Sequence, residues 1–324
     1  MSTPAIALTH HTEHVLDIDA PPERVYPLVA DVRNWPRIFP PTLHVELLEP
    51  PAPDGAGRAQ ERLRLWATAN GEIKTWTSRR ELDAGALRVR FRQDVSQAPV
   101  AGMAGEWIVT GREGGGSTVT LTHDFAAVGD DPDAVRWIEE AVERNSTSEL
   151  GALRSAAEHG ADSLSADFTD SVLVEGLEDP AEVFAFVDRA DAWPERLPHV
   201  ARVELIETTP GLQWLGLETR APDGSTHHTR SARVVLGPDR IVYKQTELPA
   251  LLSLHLGEWT FRAVGGGVLA SSRHVITVRP ERVTEILGPD AGPADALAYV
   301  RTALSKNSLT TLGHARELLG KGAR

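Results

Sequence analysis

The sequence predicts an α+β fold that is built twice, and the first observation behind this prediction is an internal repeat. Residues 29–40 (VADVRNWPRIFP) return as residues 187–198 (VDRADAWPERLP), so that Trp35 and Trp193 lie 158 positions apart (193 − 35). The register continues without a gap from 45–49 (VELLE) to 203–207 (VELIE). A repeat of this length indicates a duplicated domain rather than a solenoid unit.

The second observation is the order of elements, which is the same in both halves. A strand and a short helix precede a series of strand-like segments, and one long helical segment closes the half. This order is typical of an antiparallel sheet with its helices gathered on one side. Curled around the long helix, such a sheet can leave an internal cavity. Since 324 residues correspond to about two domains, we expect domains over 1–160 and 161–324, with a linker near 160–166.

Local signals locate the elements of each half. The first strand, near 14–18, leads into Asp19, which we expect to cap a helix that begins at the following prolines, and Asp179 precedes Pro180 in the same way. Glycine-containing segments predict turns at 53–55, 70–71, 83–85, 114–116, 223–224 and 265–267. The long helices are predicted over 133–158 and 293–319, each about 26 residues or roughly 40 Å long.

Composition narrows the functional classes. A net charge of −13 disfavours a nucleic-acid partner, because such proteins concentrate Lys and Arg against phosphates. The absence of cysteine excludes disulfides, thiolate metal sites and cysteine nucleophiles. No apolar run reaches the length of about 18 residues that a membrane span needs, and no leader peptide is evident. We therefore expect a cytoplasmic protein without a membrane partner.

A histidine occupies the apolar face of the last strand in each half. His123 shares its parity with Val119, Leu121 and Phe125, and His274 lies in an equally apolar row. A lone histidine on such a face is more often a core residue than a catalyst. The recurrence favours a functional role, although common ancestry explains it equally.

Both halves also contain a Ser-x-Arg strand. Trp76, Ser78 and Arg80 share one parity, and the second half has Ser231 and Arg233 at the matching positions. An inward arginine requires a carboxylate, carbonyl oxygens or water as partner. An outward arginine is an ordinary surface charge, and the pattern alone allows both interpretations.

Two polar residues interrupt the inward stripe of the first long helix. Asn145 and Glu149 follow Ile138 and Val142 at helical spacing. Glu149 can pair with Arg80, orient His123 or extend to solvent. In the second half the asparagine returns as Asn307, whereas Thr311 replaces the carboxylate.

The histidine cluster His10, His11 and His14 suggests a metal site, but it lacks the glutamate of an HExxH motif. We expect it in an N-terminal tail and predict no metal site.

Several motifs together resemble the polyketide aromatase/cyclases of bacterial type II polyketide synthases, and the duplication resembles their di-domain members. The motifs are residues 35–41 (WPRIFPP), 75–80 (TWTSRR), 98–100 (APV), 105–107 (GEW), 121–125 (LTHDF) and 143–146 (ERNS). The likeness covers the whole chain and is more specific in the first half. It implies two tandem helix-grip domains of the START or Bet v 1-like type, each a bent antiparallel sheet wrapped around a long C-terminal helix with an internal cavity.

The resemblance also implies an activity. The expected enzyme directs regiospecific first-ring aldol cyclisation, between carbons seven and twelve, and dehydration of a ketoreduced poly-β-ketone. The substrate is tethered by phosphopantetheine to an acyl carrier protein, so the expected partners are that carrier and other type II polyketide synthase components. No cofactor is implied. The implied catalytic residues are Arg80, His123 and Glu149. The expected substrate-binding residues are Trp35, Trp76, Ser78, Phe91, Gln93, Trp107 and Asn145.

The second half departs from the pattern. It lacks the tryptophan of the Ser-x-Arg strand and the helix acid, so we expect ring closure in the first domain and an assisting or structural second domain. The residues expected around the second cavity are Trp193, Ser231, Arg233, Gln245, Trp259, His274 and Asn307. A non-enzymatic carrier of hydrophobic ligands, a chaperone-like polyketide-binding subunit and, least favoured, a metal-dependent hydrolase are the alternatives. Converging polar residues in the cavity favour an enzyme, whereas a uniformly apolar lining favours a carrier.

Overall fold

The computed structural model describes residues 6–54, 57–160, 164–220 and 226–320. The chain divides into two compact units, 1–161 and 162–324, and each is described separately. The expected turn at 223–224, Gly55 of the turn at 53–55 and residues 161–163 of the expected linker lie outside the described residues, whereas residues 165 and 166 of that linker belong to the first strand of the second unit.

The first unit begins with a strand, continues through two short helices and a meander of six strands, and ends with a long helix. Its elements are β1 (His10–Ile18), α1 (Pro22–Ala30), α2 (Trp35–Ile38), β2 (Thr42–Pro53), β3 (Arg58–Ala69), β4 (Glu72–Asp83), β5 (Arg88–Val95), β6 (Val100–Gly111), β7 (Ser117–Ala127) and α3 (Pro132–His159), with short 3-10 turns at Val32–Asn34 and Val128–Asp130.

The second unit repeats this order. Its elements are β8 (Ser165–Glu175), α4 (Pro180–Asp188), α5 (Trp193–Arg196), β9 (Val200–Thr209), β10 (Leu212–Arg220), β11 (Thr226–Val235), β12 (Arg240–Glu247), β13 (Leu252–Val264), β14 (Gly267–Val278), α6 (Val283–Leu287) and α7 (Pro293–Leu319), with 3-10 turns at Ala190–Ala192 and Pro280–Arg282.

Each unit contains one seven-stranded antiparallel sheet. The strand order is β1-β7-β6-β5-β4-β3-β2 in the first unit and β8-β14-β13-β12-β11-β10-β9 in the second. The first strand of each unit therefore crosses over to pair with the last, and the helices between the first two strands connect the two sheet edges. The predicted α+β helix-grip architecture, given twice, is confirmed.

The long helix of each unit is anchored by two separate apolar clusters. Ile138 and Val142, near the start of α3, pack with Phe125, whereas Leu150 and Leu153 belong to a larger cluster that includes α1 and the sheet. Helix α7 is held in the same way, through Val300 in one cluster and Leu312 in the other. The middle turns of both helices lie between the clusters, and this is where a cavity forms.

Several local predictions are confirmed. Asn70 and Gly71 form a two-residue hairpin turn with positive φ angles of 49° and 80°, which is the combination that Asn-Gly favours. Asp179 caps α4 by accepting a hydrogen bond from the Ala181 N–H at 2.9 Å.

Two predictions near the N-terminus are wrong. Asp19 does not cap α1, which begins after Pro21 without a side-chain cap. Its carboxylate instead accepts a hydrogen bond from Arg112.

The histidines expected in a tail lie in β1, where each faces a different carboxylate: His10 faces Asp130, His11 faces Asp124 and His14 faces Glu143. The cause is the pairing of β1 with β7, which makes this polar segment an edge strand of the sheet.

Candidate active sites in the two cavities

A cavity of about 160 Å³ in the first unit lies between the sheet and the middle of α3. All ten residues that the sequence suggested for this site line it: Arg80, His123, Glu149, Trp35, Trp76, Ser78, Phe91, Gln93, Trp107 and Asn145.

Arg80 points inward from β4 and is 3% exposed, which resolves the alternative that the sequence left open. Its partner is Glu61, directly opposite on β3, whose carboxylate accepts a hydrogen bond from Nη1 at 2.8 Å. Glu149, which the sequence offered as a partner, does not take this place. Burial lowers the pKa of Arg80 to about 10 while Glu61 opposes the shift, so the guanidinium stays charged at neutral pH.

The C-terminal end of α1 orients the arginine and a tryptophan together. Arg80 Nη2 donates to the Val29 carbonyl oxygen at 2.8 Å, and the Trp35 indole N–H donates to the same oxygen at 3.2 Å. The guanidinium carbon lies 4.9 Å from the centroid of the Trp35 ring, a cation–π distance. The repeated Trp-Pro motif thus supplies the wall against which the arginine is fixed.

His123 projects into the cavity from β7 and packs edge-on against Phe91, with 5.5 Å between ring centroids. Its Nδ1 atom is buried without a hydrogen-bond partner. Burial is the main reason that the pKa of His123 falls to about 4, and His14 adds to the shift. The imidazole is therefore neutral at pH 7.

Gly105 explains how Phe91 reaches the histidine. The glycine lies opposite both Phe91 and His123 in the sheet. A Cβ atom at this position would overlap the Thr122 carbonyl oxygen and lie 2.6 Å from Phe91 Cζ. The Gly-Glu-Trp motif thus needs its glycine so that an aromatic ring can lie across the strand.

Glu149 and Asn145 face the cavity from α3. Burial alone raises the pKa of Glu149 to about 8, so the side chain is a neutral carboxylic acid at pH 7. Asn145 donates to the Thr68 carbonyl oxygen at 2.9 Å, which attaches the helix to β3. The cavity therefore combines a cation, a neutral imidazole and a neutral acid, and the two titratable groups have pKa values displaced in opposite directions.

The second unit contains an equivalent cavity of about 280 Å³. All seven residues that the sequence suggested line it: Trp193, Ser231, Arg233, Gln245, Trp259, His274 and Asn307. Arg233 again donates to the end of the preceding helix, at the Val187 carbonyl oxygen, and faces the Trp193 ring at 5.9 Å.

The environment of Arg233 differs from that of Arg80 in one decisive way. Gln213, not a glutamate, lies opposite it in the sheet. The arginine is 2% exposed, and its Nη1 is buried without a hydrogen-bond partner. Burial lowers the pKa to about 10, which leaves a charged guanidinium that no ion pair neutralises directly.

Four residues around His274 were not among those that the sequence suggested. Tyr243 lies across Gly257 as Phe91 lies across Gly105, a correspondence that the matched Gln93 and Gln245 two positions later already indicated. His255 is buried beside His274, 2.9 Å from Nε2 to Nδ1. Ser272 and Ser308 approach the other ring nitrogen of His274 at 3.1 and 2.8 Å. His255 gave no signal because its counterpart in the first unit is Met103, which lies two residues before the corresponding glycine.

The fold and the two polar cavities define a class: tandem helix-grip domains equipped for chemistry on a ligand enclosed between sheet and helix. Comparison with known proteins gives the family. The family model described as polyketide cyclase/dehydrase and lipid transport matches residues 9–158, and a second model with the same description matches 179–298.

Relatives match along nearly the full length. The granaticin polyketide synthase bifunctional cyclase/dehydratase of Streptomyces violaceoruber is 47% identical over 95% of this chain and 94% of its own. The actinorhodin polyketide synthase bifunctional cyclase/dehydratase of Streptomyces coelicolor is 43% identical over 96% and 97%.

Two solved structures are also similar to this chain over nearly its full length. The di-domain ARO/CYC BexL from the BE-7585A biosynthetic pathway is 48% identical with a TM-score of 0.79, over 95% of this chain and 98% of its own. StfQ from the steffimycin biosynthetic pathway is 33% identical with a TM-score of 0.77, over 94% and 97%. The chain belongs to the polyketide cyclase/dehydrase family as a di-domain aromatase/cyclase, which confirms the resemblance and the expected cyclase/dehydratase enzyme.

Among the described residues, no helix combines the length and the apolar character that crossing a membrane requires.

Proposed function

We propose that the first unit catalyses regiospecific first-ring aldol cyclisation, between carbons seven and twelve, of a ketoreduced poly-β-ketone. The substrate is tethered by phosphopantetheine to an acyl carrier protein of a type II polyketide synthase. The observation that carries this proposal is that Arg80, neutral His123 and protonated Glu149 line a single cavity. The names of the granaticin and actinorhodin relatives support the same substrate class.

Each residue has a role that its protonation state allows. His123 Nδ1, which has no partner, takes the proton from a methylene carbon between two carbonyls. Arg80 stabilises the resulting enolate, because fixed positive charge acts most strongly where negative charge develops. The enolate carbon attacks a second carbonyl, a carbon–carbon bond forms, and Glu149 gives its proton to the alkoxide oxygen.

The aromatic walls contribute by holding the chain in one fold. Trp35, Trp76 and Trp107 border the cavity, and enforced proximity of two reacting carbons is worth up to about 7–11 kcal/mol in favourable cases. Cavity shape therefore selects which carbons meet, while the polar residues accelerate their bonding. The polar lining does not support the alternative of a uniformly apolar carrier.

The test is product analysis with the synthase, ketoreductase and carrier protein reconstituted around each variant. We expect Arg80→Ala to lose the correctly closed ring, whereas Arg79→Ala, at the exposed neighbour that pairs with Asp94, retains it. Arg233→Ala should retain the ring position. Normal aromatic product from a folded Arg80→Ala enzyme would overturn the assignment to the first unit.

A further inference from the structure

The second cavity contains a chain of hydrogen bonds that has no equivalent around His123. His255 Nε2 lies 2.9 Å from His274 Nδ1, and His274 Nε2 lies 2.8 Å from Ser308 Oγ. Both ends of the chain line the cavity, since His255 and Ser308 border it. The outer nitrogen of His255, Nδ1, is buried and has no partner.

In the first unit the corresponding residues cannot form this chain. Met103 replaces His255 and Leu121 replaces Ser272, two residues before the matching glycine and histidine. His123 Nδ1 and Ser146 Oγ are both buried without partners there. The two units thus have the same fold, but only the second cavity has a hydrogen-bonded chain along which a proton can move.

We propose that the second unit is the dehydration site, in which the His255–His274–Ser308 chain moves a proton through the cavity to expel water from the ring-closed β-hydroxy ketone. This inference rests on the proposed function, because ring closure in the first unit supplies that intermediate.

The step balances with no net gain of charge. His255 Nδ1 takes the proton from the carbon next to the carbonyl, and the C–H electron pair forms the new C=C bond. The Nε2 proton of His255 passes to His274 Nδ1, and the Nε2 proton of His274 passes to Ser308. Ser308 delivers its own hydroxyl proton to the leaving oxygen as the C–O bond breaks, and water departs.

A neutral relay suits this environment. Burial, with a contribution from the neighbouring imidazole of His274, lowers the pKa of His255 to about 3. Burial lowers that of His274 to about 4, against a smaller opposing effect of Asp170. A relay that only exchanges tautomers leaves no standing imidazolium on either ring.

Arg233 supplies the complementary charge. Its partnerless Nη1 is buried at the same cavity, and Gln213 leaves the guanidinium without the ion pair that Glu61 gives to Arg80. A buried donor of this kind binds the carbonyl oxygen and stabilises the negative charge that develops on it while the C–H bond breaks. Tyr243, whose hydroxyl lies 3.5 Å from His274 Nδ1, borders the same cavity.

The experiment follows product ratios over time in the reconstituted synthase system with the full chain. His255→Met installs the residue that the first unit already tolerates, and Ser308→Ala removes one oxygen atom. We expect both to slow dehydration by about 10²–10⁴-fold, the range of general acid–base catalysis. A ring-closed product that is one water heavier should accumulate, with the ring position unchanged.

Ser271→Ala is the matched control, because Ser271 precedes Ser272 in β14 but bonds to Ser171 instead of His274; it should dehydrate like the unaltered enzyme. Wild-type dehydration rates in His255→Met and Ser308→Ala would overturn the inference, as would unaltered enzyme that dehydrates no faster than buffer. If the circular dichroism spectrum shows that His255→Met is misfolded, the dehydration rate of Ser308→Ala alone tests the proposal. A shifted ring position in the unaltered enzyme would instead contradict the proposed function.

Discussion

Replacing Glu149 with glutamine should stabilise the protein as pH rises. Burial raises the pKa of the carboxyl from 4.5 to about 8 in the folded state, whereas the unfolded chain keeps the lower value. Between these two values the unfolded state has lost a proton that the folded state still holds. Stability of the unaltered enzyme therefore declines from about pH 4.5 to about pH 8 and levels off above it.

The size of this change in the free energy of unfolding follows from the pKa shift of Glu149. A shift of about 3.5 pH units (8 − 4.5), at about 1.4 kcal/mol per unit, corresponds to an upper limit of roughly 5 kcal/mol. Glutamine is nearly isosteric with the protonated acid and does not titrate. Glu149→Gln should thus match the unaltered enzyme at pH 4.5 and exceed it at pH 8, with a melting temperature higher by on the order of 10 °C.

Calorimetric melting at both pH values measures this difference. The control is Glu140→Gln, an exposed position on the same helix, which should show no growing advantage with pH. A Glu149→Gln difference that is the same at pH 4.5 and pH 8 would show that the carboxyl is ionised in the folded protein and would refute the reasoning. The same substitution should lower ring closure below about pH 8, where Glu149 still carries its proton, because the amide is not acidic enough to supply one.

Two further predictions concern the framework of the first cavity. Glu61→Gln should lower the free energy of unfolding, measured in urea, by about 3–5 kcal/mol, because it leaves Arg80 buried without its carboxylate. The control is Glu81→Gln, at the partly exposed partner of Arg90, which should lower it by at most about 1 kcal/mol. Equal losses in the two variants would contradict this prediction. Gly105→Ala should lower the melting temperature through a loss of about 1–3 kcal/mol, whereas Gly151→Ala, in open space within α3, should raise it through a gain of about 0.5–1 kcal/mol.

Much of the site follows from periodicity. The alternation of β7 identified the face of His123, and the spacing along α3 identified Asn145 and Glu149 as inward polar residues. Both inferences succeed because strand and helix geometry fix which side chains share a face. The repeat supplied the second set of positions directly.

The partners of these residues were beyond the reach of the sequence. Glu61 meets Arg80 only through the register of β3 and β4, and a shift by one residue would place it on the other face. The inward direction of the arginine stayed open for the same reason. His255, His274 and Ser308 come from three different elements, so no local pattern joins them. The polar start of β1 resembles a tail until its pairing with β7 is known.

Helix α3 assigns packing and reactivity to different residues. Residues at both ends hold the helix to the sheet, while the turns between them touch the ligand space and little of the core. Substitutions in that interval can alter reactivity while the two apolar clusters stay intact. The duplicated copies show the result: Asn145 and Ser146 persist as Asn307 and Ser308, but Glu149 has become Thr311. In a duplicated domain of this kind, the middle turns of the long helix can acquire new catalytic side chains, in evolution or by design, while the two ends keep the helix packed against the sheet.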